Sequence, residues 1–104
     1  MVISTFPDAP SAQQAAQNLV SARLAACVNC VPGATSHYLW EGKMEMSTEI
    51  IFIAKTTRAC YPQLEQTLRS LHPYELPEII ALPVSTGLPA YLRWVSDNTN
   101  AGEQ

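Results

Sequence analysis

The sequence predicts a single domain over residues 1–104 with an α/β (α+β) fold of the ferredoxin-like, split βαβ type. Three observations predict it. Strand-like and helix-like stretches follow one another in the order β-α-β-β-α-β, with one more helix at the end. Two long strands meet at Glu41-Gly42, a dipeptide typical of a hairpin turn. Apolar residues make up 47% of the chain, which is enough to build a core.

The first strand and the first helix are short and clearly bounded. A β-type run over Val2–Phe6 is ended by a proline and an aspartate. The helix that follows is predicted to continue to about Leu24, with small alanines at helical spacing that allow close packing on a sheet. Two N-terminal caps fit the sequence: Asp8, or Ser11 with Gln14 in a capping box.

The hairpin is predicted from Ala26–Trp40 and Lys43–Thr57. Pro32-Gly33 predicts a bulge, because proline lacks a ladder donor and glycine frees the backbone. In the return strand, Glu45 and Glu49 share one face, where solvating charges are the simplest interpretation. Beyond Ile50 both faces become apolar, which predicts burial on both sides.

A second helix is predicted from Arg58 or Tyr61 to Leu71, where an approaching proline ends it. Its apolar stripe includes Leu64 and Leu68, which are expected to face the core.

The last strand is predicted over Glu78–Val84, and Pro89 begins a short terminal helix. The polar tail, Asn98–Gln104, is expected to fray.

The charge pattern excludes several functions. Six basic and nine acidic residues give a net charge of −3, and no basic cluster suits nucleic-acid phosphates. No stretch approaches the roughly 20 apolar residues of a membrane span, and the chain does not start like a signal peptide. We therefore expect a cytoplasmic protein that binds neither nucleic acid nor membrane, with its three cysteines reduced.

The length of the hairpin predicts an oligomer. Strands of about 14 residues reach roughly 45 Å at about 3.3 Å per residue. A globule of this size has a radius of gyration of only about 13 Å. The tip must bend or leave the body, and its apolar face, which includes Met44 and Met46, then needs cover from another chain.

Two groups of possible metal ligands remain open. Cys27 and Cys30 have C-x-x-C spacing, but residues three apart in a strand point to opposite faces, which favours unpaired structural thiols over a metal or redox pair. Cys60 has no evident partner. His72 ends a helix, where it is either a structural residue or a metal ligand. His37 lies on a hairpin strand and is expected at the surface or in an interface.

Several runs in this order and spacing resemble the signature of the CutA family. They are Val31-Pro-Gly-Ala-Thr-Ser36, Tyr38-Leu-Trp-Glu-Gly-Lys43, Lys55-Thr-Thr57, and His72-Pro-Tyr74 followed by Pro77-Glu78. The resemblance covers about residues 1 to 97. It implies a non-enzymatic homotrimer whose long hairpins wrap neighbouring subunits, with an architecture similar to the PII signalling proteins. It also implies a link to tolerance of divalent cations, copper especially.

The resemblance also bears on the site. Copper-binding bacterial members use a cysteine on the first strand and a His-His pair, where this chain has Ser4, Leu71 and His72. Of these three positions only His72 offers a metal ligand, and copper, if bound, should be held weakly. The resemblance places four further residues near a cleft between subunits: Trp40, Lys55, Tyr74 and Glu78. The alternative function is an enzyme or a small-molecule sensor with its site in that cleft.

Overall fold

The structure is a computed structural model and describes residues 1–100. Four strands and three helices follow one another in these residues in the predicted order. They are β1 (Val2–Phe6), α1 (Ala9–Ser21), β2 (Cys27–Trp40), β3 (Lys43–Lys55), α2 (Tyr61–Leu71), β4 (Ile79–Ala81) and α3 (Pro89–Asp97). The predicted fold class is confirmed. No helix among residues 1–100 is long and apolar enough to cross a membrane.

The sheet has the order β2-β3-β1-β4, and every neighbouring pair is antiparallel. One face carries the core, because the alternating residues Val2, Ser4 and Phe6 of β1 are all buried beneath the helices. Phe52 on β3 lies beside Phe6, with ring centroids 5.0 Å apart. The helices therefore cover one face of the sheet, and the other face is left to the site described below.

Helices α1 and α2 both contribute to the core as predicted. Leu64 and Leu68 of α2 are fully buried, as is Leu19 of α1. Asp8 proves to be the N-cap of α1, since its Oδ1 accepts a hydrogen bond of 2.8 Å from the backbone nitrogen of Ser11.

The first helix ends earlier than predicted. It stops at Ser21, because Arg23 adopts a left-handed φ of 61°. The backbone nitrogen of Leu24 then bonds the carbonyl of Leu19 at 2.9 Å, and that of Arg23 bonds the carbonyl of Val20 at 3.0 Å. These two bonds form a Schellman motif with arginine in the position that glycine usually occupies.

The hairpin has the predicted bulge and turn. The pairing register shifts between Val31 and Ala34, around Gly33 at φ 88°. Both turn residues, Glu41 and Gly42, have positive φ values of 51° and 80°, as in the tight turns that match the twist of hairpin strands.

The hairpin extends the molecule and leaves apolar side chains in solvent. The principal extents are 44 × 28 × 22 Å. Leu39, Met44 and Met46 near the tip are 70%, 74% and 67% exposed in the single chain. Ile51 and Ile53 are half-buried. The predicted burial of both faces of β3 is therefore only partial within one chain.

Two C-terminal predictions need correction. The last strand covers only Ile79–Ala81 instead of 78–84. The backbone nitrogen of Leu82 still bonds the carbonyl of Met1 at 2.8 Å, but the next residue, Pro83, has no N–H with which to extend the ladder. The tail is ordered through Asn100, whose backbone nitrogen bonds the carbonyl of Arg23 at 2.8 Å. The rest of the predicted fraying, over 101–104, lies outside the described residues.

Candidate functional site

A groove of about 440 Å³ lies on the open face of the sheet, between the hairpin and the connection from α2 to β4. Its lining residues are Thr5, Tyr38, Trp40, Glu45, Glu49, Tyr74, Glu75, Leu76 and Glu78. Three of the four predicted cleft residues, Trp40, Tyr74 and Glu78, are thus brought together in one chain.

Lys55 is the exception among the predicted cleft residues. It pairs with Cys27 at the end of β3 opposite to the hairpin tip, and its Nζ donates a hydrogen bond to the side-chain oxygen of Asn29. Lys55 and the groove of the same chain are therefore separate. The two can share one cleft only where two copies of the chain meet.

Glu49 is the residue of the groove that sequence reasoning misread. It was expected to be a solvating charge, but it is only 7% exposed. Its Oε2 accepts a hydrogen bond of 2.6 Å from the hydroxyl of Tyr74. Burial, the hydrogen bond to Glu49 and the charge of Glu49 all raise the pKa of Tyr74, so its hydroxyl stays protonated and donates. The signal available in the sequence was the alternation that places Glu49 on the same face as Ile51 and Ile53.

His72 fixes the start of the loop that carries Tyr74. Its Nδ1 lies 3.1 Å from the backbone nitrogen of Tyr74, and its Nε2 lies 2.8 Å from the carbonyl oxygen of Thr5. A backbone nitrogen can only donate, so Nδ1 is the acceptor and Nε2 carries the proton that it donates. The ring also stacks on Phe6, with centroids 4.1 Å apart. Desolvation by burial lowers the pKa of His72 and keeps the ring neutral.

The residues at the family's copper position do not fit a copper site. Ser4 is fully buried on the core face, and its hydroxyl has no hydrogen-bond partner within residues 1–100. Both nitrogens of His72 are already engaged, and Leu71 offers no donor atom. Within residues 1–100, no group of three or more His, Cys, Asp or Glu side chains could hold a metal ion. A metal at His72 would first have to break one of its two hydrogen bonds.

The cysteines and His37 lie apart from this site. All three thiols are free. Cys27 pairs with Lys55 and Cys30 with Phe52, so the two side chains lie on opposite faces of the sheet, as the strand spacing predicts. Burial raises the pKa of Cys30, which keeps that thiol protonated. His37 is exposed on β2.

The fold and the groove together define a class of protein: an antiparallel split βαβ domain with a protruding hairpin and an acidic, aromatic groove at its base. Comparison with known proteins identifies the family. Residues 1–98 match the family described as CutA1 divalent ion tolerance protein. The chain belongs to this family of divalent-cation tolerance proteins.

Individual relatives match this chain in sequence and in structure over nearly its whole length. The divalent-cation tolerance protein CutA of Thermus thermophilus is 44% identical over 99 residues, covering 95% of this chain and 96% of its own. Its solved structure matches this one with a TM-score of 0.93 over 95% and 96% of the two chains. CutA of Xylella fastidiosa is 46% identical, with a TM-score of 0.93 over 95% of each chain.

One relative is assigned to a different compartment from the one expected here. The divalent cation tolerance protein CutA of Archaeoglobus fulgidus, which is described as periplasmic, is 34% identical. Its TM-score is 0.90, over 93% of this chain and 94% of its own.

Proposed function

We propose that this chain works as a non-enzymatic homotrimer in divalent-cation tolerance, with the groove as its ligand site. One observation carries the proposal: the hairpin that exposes large apolar side chains also forms a wall of the groove. Leu39 and Met44 near the tip are 70% and 74% exposed, and the groove residue Trp40 between them along the hairpin is 49% exposed. A neighbouring copy that covers the tip would therefore also complete the groove.

The position of Lys55 supports a site between subunits. The family resemblance assigns Lys55 to the same cleft as Trp40, Tyr74 and Glu78, yet within one chain it lies at the other end of β3. Only a neighbour's Lys55 could approach the groove. The half-buried Ile51 and Ile53 on the open sheet face supply the apolar surface that such packing would bury.

The role of metal in this proposal is limited. We infer that copper binds weakly, since Ser4 is a buried hydroxyl and His72 uses both ring nitrogens within the chain. Tolerance of divalent cations would then depend on what the assembled groove binds. The same groove would be the site of the alternative function, an enzyme or a small-molecule sensor. We infer a reducing, cytoplasmic location from the sequence, because three cysteines are an odd number that does not indicate a disulfide framework.

Light scattering on the purified chain tests the assembly. The expected mass is three times the 11.4 kDa of one chain. Leu39 and Met44 pair across the hairpin, so a double variant, Leu39→Ser with Met44→Ser, should weaken the trimer while the single-chain fold remains. Val20→Ser, at an exposed valine on α1, is the control and should leave the mass unchanged. A stable monomer at micromolar concentration would refute the proposal.

A further inference from the structure

The hairpin carries a group of soft metal donors that takes no part in the groove. His37 of β2 pairs with Met46 of β3, and Met44 lies two residues before Met46 on the same strand. Paired residues of an antiparallel ladder point to the same face of a sheet, as do alternate residues of one strand. The three side chains therefore share one face of the hairpin, opposite to the groove residues Tyr38 and Glu45.

The spacing of the three side chains suits a single small ion. The pairing is regular between Ala34 and Trp40, so His37 and Met46 are directly opposite, and such residues have Cβ atoms about 4.5–5.5 Å apart. Met44 is diagonal to His37, at about 7–8 Å. Methionine is unbranched and has three rotatable bonds, so both thioethers can reach an ion that the imidazole binds. One nitrogen and two sulfur atoms can thus converge.

The imidazole of His37 has no competing partner in the described part of the chain. Within residues 1–100 neither of its nitrogens makes a hydrogen bond, whereas both nitrogens of His72 are engaged. Met44 and Met46 are 74% and 67% exposed in the single chain. An ion at this face would therefore break no contact within the chain.

The chemistry of the donors decides which metal fits. Thioether sulfur is a soft ligand that favours Cu(I), and imidazole also binds copper. The remaining paired residues of this face add no charge; they are Thr35, Leu39 and Thr48. Hard cations such as Mg²⁺ and Ca²⁺ prefer carboxylate oxygens, and none of these six side chains carries one. A neutral set of one nitrogen and two sulfur atoms suits a soft monovalent ion.

Assembly leaves this donor set in place. All three donors come from one chain and are held in register by the hairpin ladder, so their spacing does not depend on a neighbouring copy. A neighbour that covers the tip would contact the methyl and methylene groups of Met44 and Met46, and a thioether in such a contact keeps its lone pairs. Leucine would provide the same apolar cover without a donor atom. Replacing methionine by leucine therefore separates metal binding from assembly.

We propose that the hairpin binds one soft monovalent metal ion per chain through His37, Met44 and Met46, with Cu(I) as the ion that these donors suit best. The site is separate from the groove and from the family's copper position, and it goes beyond the proposed function. Binding forms coordinate bonds only, and no electron is transferred.

Titration of the assembled protein with silver nitrate in chloride-free buffer tests the proposal, because Ag(I) is a soft monovalent ion that is stable in air. The sequence has three methionines, so a chain labelled with carbon-13 at the methionine methyl groups gives three NMR signals. We expect the signals of Met44 and Met46 to move and to saturate at micromolar silver, with one ion per chain. The signal of Met1 is the internal control and should stay in place.

The three free thiols would also bind silver, so they are removed in the main experiment. The background is Cys27→Ala, Cys30→Ala and Cys60→Ala. If this background does not fold, the wild-type chain is titrated beyond three equivalents, at which its thiols are saturated. The methyl signals then report the same site.

Substitutions on the hairpin identify the donors. Met46→Leu and His37→Gln should each weaken silver binding by about tenfold or more, because each removes one of three donors. Leu39→Ile changes an apolar residue of the same face without removing a donor, so it should leave the affinity within about twofold. Met46→Leu should keep the mass measured by light scattering.

Four results would overturn the proposal. They are no movement of the Met44 and Met46 signals up to millimolar silver, an equal movement of the Met1 signal, an unchanged affinity in Met46→Leu, and movement only after the assembly is dissociated. The last result would mean that a neighbouring copy occupies this face. A trimer that does not bind silver refutes the metal site alone, and a monomer that binds it refutes the assembly alone.

Discussion

Replacing His72 with phenylalanine isolates the hydrogen bonds of this residue from its packing. Phenylalanine can keep the stack on Phe6 but cannot donate to the carbonyl of Thr5 or accept from the backbone nitrogen of Tyr74. Each hydrogen bond contributes about 0.5–1.5 kcal/mol, so His72→Phe should lower the free energy of unfolding by about 1–3 kcal/mol. The Thr5 carbonyl is part-buried, so losing the His72 donor favours the upper half of that range.

The same variant should also change how stability depends on pH. Burial is the largest influence on His72 and lowers its pKa below the ordinary 6.5, although the Thr5 carbonyl and the charge of Glu49 oppose it. Between the folded and unfolded pKa values, the unfolded chain binds more protons. The stabilisation from neutral His72 is therefore present above about pH 6.5 and is lost as the pH falls toward its lower folded pKa. His72→Phe should remove this part of the acid sensitivity.

Urea unfolding at about pH 7.5 and about pH 5.5 measures both effects, because these values lie on either side of the ordinary histidine pKa. The chain concentration must be equal in all samples, since association adds to apparent stability. His37→Gln is the matched control, because His37 is exposed, and it should keep the wild-type pH dependence. If His72→Phe lowers the free energy of unfolding by less than about 0.5 kcal/mol, or leaves its pH dependence unchanged, the hydrogen-bond assignment is refuted.

Two further predictions concern the core and the copper position. Leu68 is fully buried in α2, so Leu68→Ala should lower the free energy of unfolding, measured with urea, by about 2–5 kcal/mol. A change near zero would contradict its place in the core. Calorimetric titration with copper should give micromolar or weaker affinity, and Ser4→Cys with Leu71→His should tighten it by adding soft donors. Nanomolar binding by the wild type that is lost in His72→Ala would show that these departures from the family pattern do not matter.

Local sequence patterns predicted the parts of the fold that depend on neighbours along the chain. The cap at Asp8, the turn at Glu41-Gly42 and the buried stripe of α2 follow from residue type and spacing alone. The end of α1 could not be predicted in this way, because Arg23 adopts a left-handed conformation in which glycine is the usual residue. Its backbone there is held by the two hydrogen bonds to the last turn of the helix.

The site was harder to predict because its contacts join distant segments. Alternation placed Glu49 on the correct face of β3, but its burial depends on where the loop after His72 brings Tyr74. That path is set by a hydrogen bond between His72 and Thr5, which are 67 positions apart in the sequence. Family resemblance supplied Tyr74 and Glu78, while Tyr38, Glu45 and Glu75 became visible only from the geometry of the groove.

The position of β2 at the edge of the sheet has a consequence for the newly made chain. An edge strand presents unpaired backbone groups to any other extended chain, and β2, with 14 residues, is long for such an edge. Its bulge between Val31 and Ala34 includes Pro32, which lacks an N–H, so the edge is divided into two shorter segments. Before assembly, this bulge should therefore hinder the pairing of β2 with strands of other chains. Aggregation should rise sharply when Pro32 and Gly33 are replaced by strand-forming residues.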